Sequence, residues 1–109
     1  MLRKKDEALV ADLGEGVTRK LLIHGGKMMA VEFSFEVGAE GKPHSHPHEQ
    51  VGVFTSGKFE ATIDGVTNIA QPGDSYYVAP NLVHGIKCLE AGSIIDVFTP
   101  GRDDFLPAE

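Results

Sequence analysis

Residues 44–50 read His-Ser-His-Pro-His-Glu-Gln, the densest run in the chain of side chains able to hold a metal ion. Neutral imidazole is the commonest protein ligand for a divalent metal. In a strand, residues i and i+2 share a face. His44 and His46 therefore project together, as two ligands of one ion must. Pro47 interrupts ladder hydrogen bonding and permits a local shift before Gln50. A further imidazole, His84, stands on a segment able to pair back across a sheet. His44, His46, Gln50 and His84 are the candidate ligands of one divalent ion, and their softness and geometry admit Zn, Ni, Mn or Fe. The bland alternative is a solvated His-rich loop or a purification tag. The run lies mid-chain between strand patterns and contains a proline, which fits neither. Glu49 has the opposite strand parity to His46, so Gln50 is the better candidate beside it. His48 shares the parity of His46, but the turn at Pro47 directs it to the surface or to a supporting role. His24 ends a strand pattern and reads as a surface histidine.

A second cluster lies towards the C-terminus. Ile94, Asp96 and Phe98 share one strand face, and Ile95 and Val97 share the other. A lone carboxylate on an apolar face costs free energy unless it is paired or functional. Arg102 follows just beyond Pro100-Gly101 and is a residue type suited to gripping a carboxylate with two hydrogen bonds. Spacing alone leaves two readings side by side. Asp96 and Arg102 face a pocket, or they form a structural ion pair that closes the tail.

Such residues need a scaffold of strands. Thirteen glycines and six prolines cut the chain into short runs, the rhythm of an all-β barrel or sandwich. Met29, Val31, Phe33, Phe35 and Val37 alternate with Met28, Ala30, Glu32, Ser34 and Glu36, which predicts a strand over 28–37. Val17 to His24 predicts the strand before it, with Gly25-Gly26 as the turn. Further strands are predicted at 58–63, 66–71, 75–78, 84–89 and 93–99, with Asp64-Gly65 and Pro72-Gly73-Asp74 as turns. About eight antiparallel strands in a chain of this length suggest a jelly-roll β-barrel with one end open as a pocket. The 109 residues allow one domain, with a core over about 17–105, an N-terminal arm at 1–8 and a tail at 100–109 that folds back over the barrel.

Sixteen acidic residues outnumber ten basic ones, giving a net charge of −6. That argues against nucleic acid or an anionic membrane surface as partner. A single cysteine, Cys88, excludes an intrachain disulfide. It reads as a buried, inert thiol, and its lack of a partner fits a reducing, cytoplasmic setting. The basic start Met1–Lys5 is followed by acids rather than an apolar run, so a secretory leader is not expected. Tyr76 and Tyr77 flank a turn, and one of them should face the barrel interior.

Two spaced motifs carry a family resemblance over residues 28–105. Gly38, His44, His46, Gln50 and Gly57 keep every interval of the first cupin signature. Gly73, Ala79, Asn81, His84 and Cys88 keep those of the second, with Ala79, Asn81 and Cys88 where the family carries proline, glycine and asparagine. Asn tolerates the positive φ that glycine supplies. The resemblance implies the double-stranded β-helix of cupins. Gln50 stands where most cupins carry glutamate. With Glu, a divalent ion and its site would carry about +1; with Gln, about +2, a stronger Lewis acid and a better trap for a carboxylate.

The strings His44–Gln50, Pro72–Ser75 and Asp96–Leu106 resemble the KdgF type of small cupin, which acts in pectin and alginate breakdown. That resemblance implies conversion of 4,5-unsaturated monouronates to linear ketone forms. Its ligands match His44, His46, Gln50 and His84, and its pocket residues match Asp96, Phe98 and Arg102. Asp96 would move a proton, Arg102 would hold the substrate carboxylate and Phe98 would form an apolar wall. The partner is then a small anionic sugar acid. A metal-dependent dioxygenase and a non-enzymatic sugar or small-acid binding module are the rival readings; oxygen consumption marks the first. Apolar residues in both parities of the 28–37 segment predict a homodimer.

Overall fold

The computed structural model describes residues 1–107. Its architecture is all-β, in eight antiparallel strands: β1 (Leu9–Gly14), β2 (Val17–Gly25), β3 (Met28–Phe35), β4 (Glu40–His44), β5 (Glu49–Ile63), β6 (Val66–Ala70), β7 (Ser75–Val78) and β8 (His84–Thr99). A single 3₁₀ turn precedes β1 at Lys5–Glu7, and another, at Asp103–Phe105, follows β8.

Two long strands make the jelly roll. The first half of β8 pairs with β4 and with the second half of β5; its second half pairs with β3 and with the first half of β5. One sheet is therefore β1-β2-β3-β8-β5-β7 and the other β4-β8-β5-β6, with β5 and β8 bending from one into the other. The bend is built on glycine. Gly57 has φ +81°, and a Cβ there would stand 2.6–2.7 Å from the Glu90 and Ala91 carbonyls and Gly92 Cα. Backbone packs directly on backbone at this corner, and the register slips between Phe54 and Phe59.

The predicted strand at 28–37 is present as β3, two residues shorter, and Met29, Val31 and Phe35 are buried as its period requires. The turn before it is one residue later than expected, at Gly26-Lys27. Asp64-Gly65 turns with both φ angles positive (50° and 79°), as its sequence predicts. Two expectations need correction. The segments 84–89 and 93–99 are one strand, because Glu90–Gly92 bends without breaking the ladder. The strand at 58–63 begins nine residues earlier, at Glu49. β1 had no period-two signal, since its pattern leaves all but Ala11 exposed.

The core lies between the sheets. Phe35, Phe54, Phe59, Ile94 and Cys88 form one buried cluster; Leu21, Met29, Val31 and Phe98 form another, with Phe33, Phe105 and Leu106 packed on it. Burying each of these large side chains is worth about 1.5–3 kcal/mol. Phe105 meets Phe33 and Phe98 edge-on, which fastens the chain after β8 across the barrel.

Candidate metal centre and pocket

His44 ends β4, His46 lies in the loop that follows, Gln50 is the second residue of β5 and His84 begins β8. His44 and His84 face each other across the β4–β8 ladder. The loop between β7 and β8 is pinned to the histidine loop, because the Asn81 N–H donates to the His46 carbonyl at 2.8 Å. Asn81 has φ +67°, the conformation for which glycine usually stands at this position.

One ring nitrogen from each of His44, His46 and His84 lies within 4.8 Å of the other two. Ligands on one ion sit about 3–4 Å apart when metal–nitrogen bonds are about 2 Å. The tautomers agree with this. Nδ1 of His44 lies 2.8 Å from the Lys42 carbonyl, Nδ1 of His46 3.0 Å from the His48 carbonyl, and Nδ1 of His84 3.0 Å from the Leu82 carbonyl. A carbonyl only accepts, so each Nδ1 carries the hydrogen and each Nε2 keeps a lone pair.

Gln50 lies against this triad. Its Nε2 donates to Asp96 Oδ1 at 3.2 Å and to the Tyr76 hydroxyl at 3.3 Å, which fixes the amide orientation. Its Oε1 is then 2.8 Å from His46 Nε2. Two lone pairs face each other there unless the ring is doubly protonated. Burial, and then the Arg102 charge, lowers the His46 pKa below the usual 6.5 and opposes that; burial also lowers the pKa of His84. A cation held between these atoms resolves the contact, so the residues fit a divalent ion. Glu49 points away, to the exposed face, where its carboxylate accepts from the Tyr77 hydroxyl at 3.2 Å.

Beside this cluster lies a cavity of about 390 Å³, lined by Tyr76, Asp96, Phe98 and Arg102 among others. Asp96 is 4% exposed. Burial raises its pKa to about 6 against the hydrogen bonds from Tyr76 and Gln50, which favour the charged form. Tyr76 donates its hydroxyl to Asp96 Oδ1. Burial, with the adjacent carboxylate, holds the Tyr76 pKa well above 10. Phe98 packs edge-on to His46, with ring centroids 5.8 Å apart.

The Asp96–Arg102 ion pair is not formed. Arg102 instead donates to Asp104 through Nε (3.0 Å) and Nη2 (2.8 Å), and its guanidinium lies 4.3 Å from the Phe105 ring centroid. Arg19 lies at the same distance from that ring, so Phe105 contacts two guanidinium groups. Asp104 and Phe105 thus set the direction of Arg102, and neither carried a periodic signal in the sequence. Cys88 is buried in the core, with its thiol 3.1 Å from the Glu90 carbonyl and its pKa raised by burial. Lys42 and Glu15, both exposed, meet at 3.7 Å at the cavity mouth. Among the described residues, no helix is long and apolar enough to cross a membrane.

The comparisons with known proteins agree with this geometry. A family model described as "Cupin domain" matches residues 31–98. The pectin degradation protein KdgF of Dickeya dadantii (strain 3937) is 41% identical over 103 residues, 93% of this chain and 94% of that one. The solved structure of an RmlC-like cupin from Shewanella frigidimarina superposes with a TM-score of 0.92 at 37% identity, covering 96% of this chain and 95% of the other. KdgF from Halomonas sp. superposes with a TM-score of 0.91 at 36% identity, covering 97% and 98%.

Proposed function

This chain belongs to the cupin domain family, and from that premise we propose that it is a metal-dependent enzyme converting 4,5-unsaturated monouronates, from pectin or alginate breakdown, to linear ketone forms. One observation carries the reading. A buried carboxylate, Asp96, and a directed guanidinium, Arg102, line the same cavity as His44, His84 and Gln50, with His46 behind them against Gln50. Similarity to the pectin degradation protein KdgF and to KdgF from Halomonas sp. supports a substrate drawn from pectin breakdown.

The substrate is a cyclic vinyl ether with a carboxylate on C5. Arg102 binds that carboxylate with the guanidinium hydrogens that Asp104 leaves free. Asp96 takes the proton from the C1 hydroxyl. The C1–O5 bond then breaks, C1 becomes the aldehyde, and the electron pair remains on O5 in conjugation with C4 and C5. A proton returned to C4 leaves a ketone at C5, so atoms and charge balance as an isomerisation. A carboxyl group with a pKa raised to about 6 can both accept and return a proton near neutrality. Phe98 walls the apolar side and excludes water. A divalent ion held by His44, His46, Gln50 and His84 would supply Lewis acidity for the negative charge that develops on oxygen.

The opening proceeds unaided in water, so the excess over background is the quantity to measure. Metal content of the purified chain is determined first, and NMR then follows the vinyl proton of 4,5-unsaturated galacturonate with and without protein. Loss of that signal should be faster with the protein, return to background on chelation and recover when the ion is restored. A background rate with metal-loaded protein overturns the proposal.

A further inference from the structure

Asp96, Gly52 and Tyr76 are register neighbours on three adjacent strands. Gly52 on β5 pairs with Asp96 on β8 to one side and with Tyr76 on β7 to the other. Two inward-facing side chains separated by a whole strand do not ordinarily touch. Here they do, because the strand between them presents a glycine. A Cβ at Gly52 would collide with the Tyr76 ring and with Asp96 Oδ1. The ring occupies that space, and its hydroxyl reaches across to Asp96.

Both donors to Asp96, the Tyr76 hydroxyl and Gln50 Nε2, meet the same oxygen, Oδ1. A carboxylate free to rotate about its last torsion exchanges its two oxygens. Two bonds on Oδ1 prevent that and leave Oδ2 for a reacting proton. Gln50 alone is a weak anchor at 3.2 Å, since its amide also serves the Tyr76 hydroxyl and its carbonyl oxygen faces His46.

We propose that Tyr76 is a positioning residue, laid across Gly52 to lock the Asp96 carboxylate with Oδ2 towards the substrate. The inference rests on the acid–base role proposed above for Asp96. Tyr76 need not touch the substrate. Its effect belongs to the orientation of the proton-transfer group, so it acts on kcat rather than on KM.

The experiment compares Tyr76→Phe, Asp96→Asn and the double variant, all metal-loaded, on a 4,5-unsaturated uronate, with metal content and melting curves measured for each. Phe keeps the ring over Gly52 and removes only the hydroxyl. Tyr76→Phe should lower kcat roughly 10- to 100-fold with KM nearly unchanged and full metal content. The double variant should be no slower than Asp96→Asn, because Tyr76 acts only through that carboxylate. A normal kcat in Tyr76→Phe beside an impaired Asp96→Asn overturns the role of Tyr76 and leaves the function standing. Losses that multiply in the double variant overturn it too, since Tyr76 would then act independently. A normal kcat in Asp96→Asn removes the acid–base reading itself, and the role of Tyr76 with it. Gly52→Ala gives a second approach. It deletes no polar atom, and displacing the ring should produce the same kcat-only loss; wild-type kcat there means that Gly52 is not the gap the ring requires.

Discussion

At Gln50 a single substitution in the family pattern sets the charge of the site. The amide serves two neighbours in opposite directions: Oε1 faces His46 Nε2, and Nε2 donates to Asp96 and Tyr76. A carboxylate could not do both, because it only accepts. Gln50→Glu would place a second carboxylate against Asp96 Oδ1, where the amide now donates. Like charges at such short range raise the pKa of one of the pair further. The site charge with a divalent ion would fall from about +2 to about +1, lowering Lewis acidity and attraction for the substrate carboxylate. Gln50→Glu should therefore retain metal while kcat/KM falls by about tenfold or more. Metal analysis and uronate kinetics on the same preparation check this. Equal activity would mean that neither the charge nor the donor of Gln50 matters.

The elements explain why some of this was readable in the sequence and some was not. β3 was legible because it faces the core on one side, so burial writes a period of two into Met29–Phe35. The three histidines were legible by residue type and by the spacing of the two motifs rather than by strand parity, since β4 ends at His44 and His46 lies in the loop beyond it, and Asn81 showed its positive φ through residue type. β1 lies at a sheet edge with almost no buried face, so no alternation marks it. The continuity of β5 and β8 was hidden because the corner is glycine and serine, which read as a turn in sequence. The corner makes a prediction of its own. Gly57→Ala forces both a strained φ and a backbone collision, and should cost roughly 2–4 kcal/mol. Gly65 has nearly the same φ, +79°, but nothing within 4 Å of its would-be Cβ. Gly65→Ala should cost only about 1–2 kcal/mol. Denaturant melts of the two variants separate the terms; equal losses would mean that the β5–β8 contact relaxes freely.

The whole molecule places its proposed site in the cavity between its sheets, and its outer surface is not uniformly polar. On the outer face of the larger sheet, Tyr77, Val51, Val97 and Ala30 form one row of register partners, with Val53 and Ile95 in the next. Tyr77, Val51 and Val53 are 53%, 47% and 41% exposed. Adjacent apolar rows of this kind have the character of an interaction surface. A second copy is the occupant we propose, since a self-complementary patch closes a two-fold dimer without further partners. A standard interface takes about 800 Å² from each partner, roughly an eighth of the 6572 Å² surface of this chain. The net charge of −6 on each copy opposes association at long range, so salt should strengthen the dimer by screening while leaving the apolar contact intact. Light scattering at micromolar concentration should give a dimer mass, with dissociation shifted to lower concentration as salt is raised. Val51→Glu adds a buried charge at the centre of the patch and should yield monomers with an unchanged melting transition of the barrel. A wild-type monomer at micromolar concentration would remove the dimer, whereas a Val51→Glu variant that stays dimeric would move the interface to another face of the barrel.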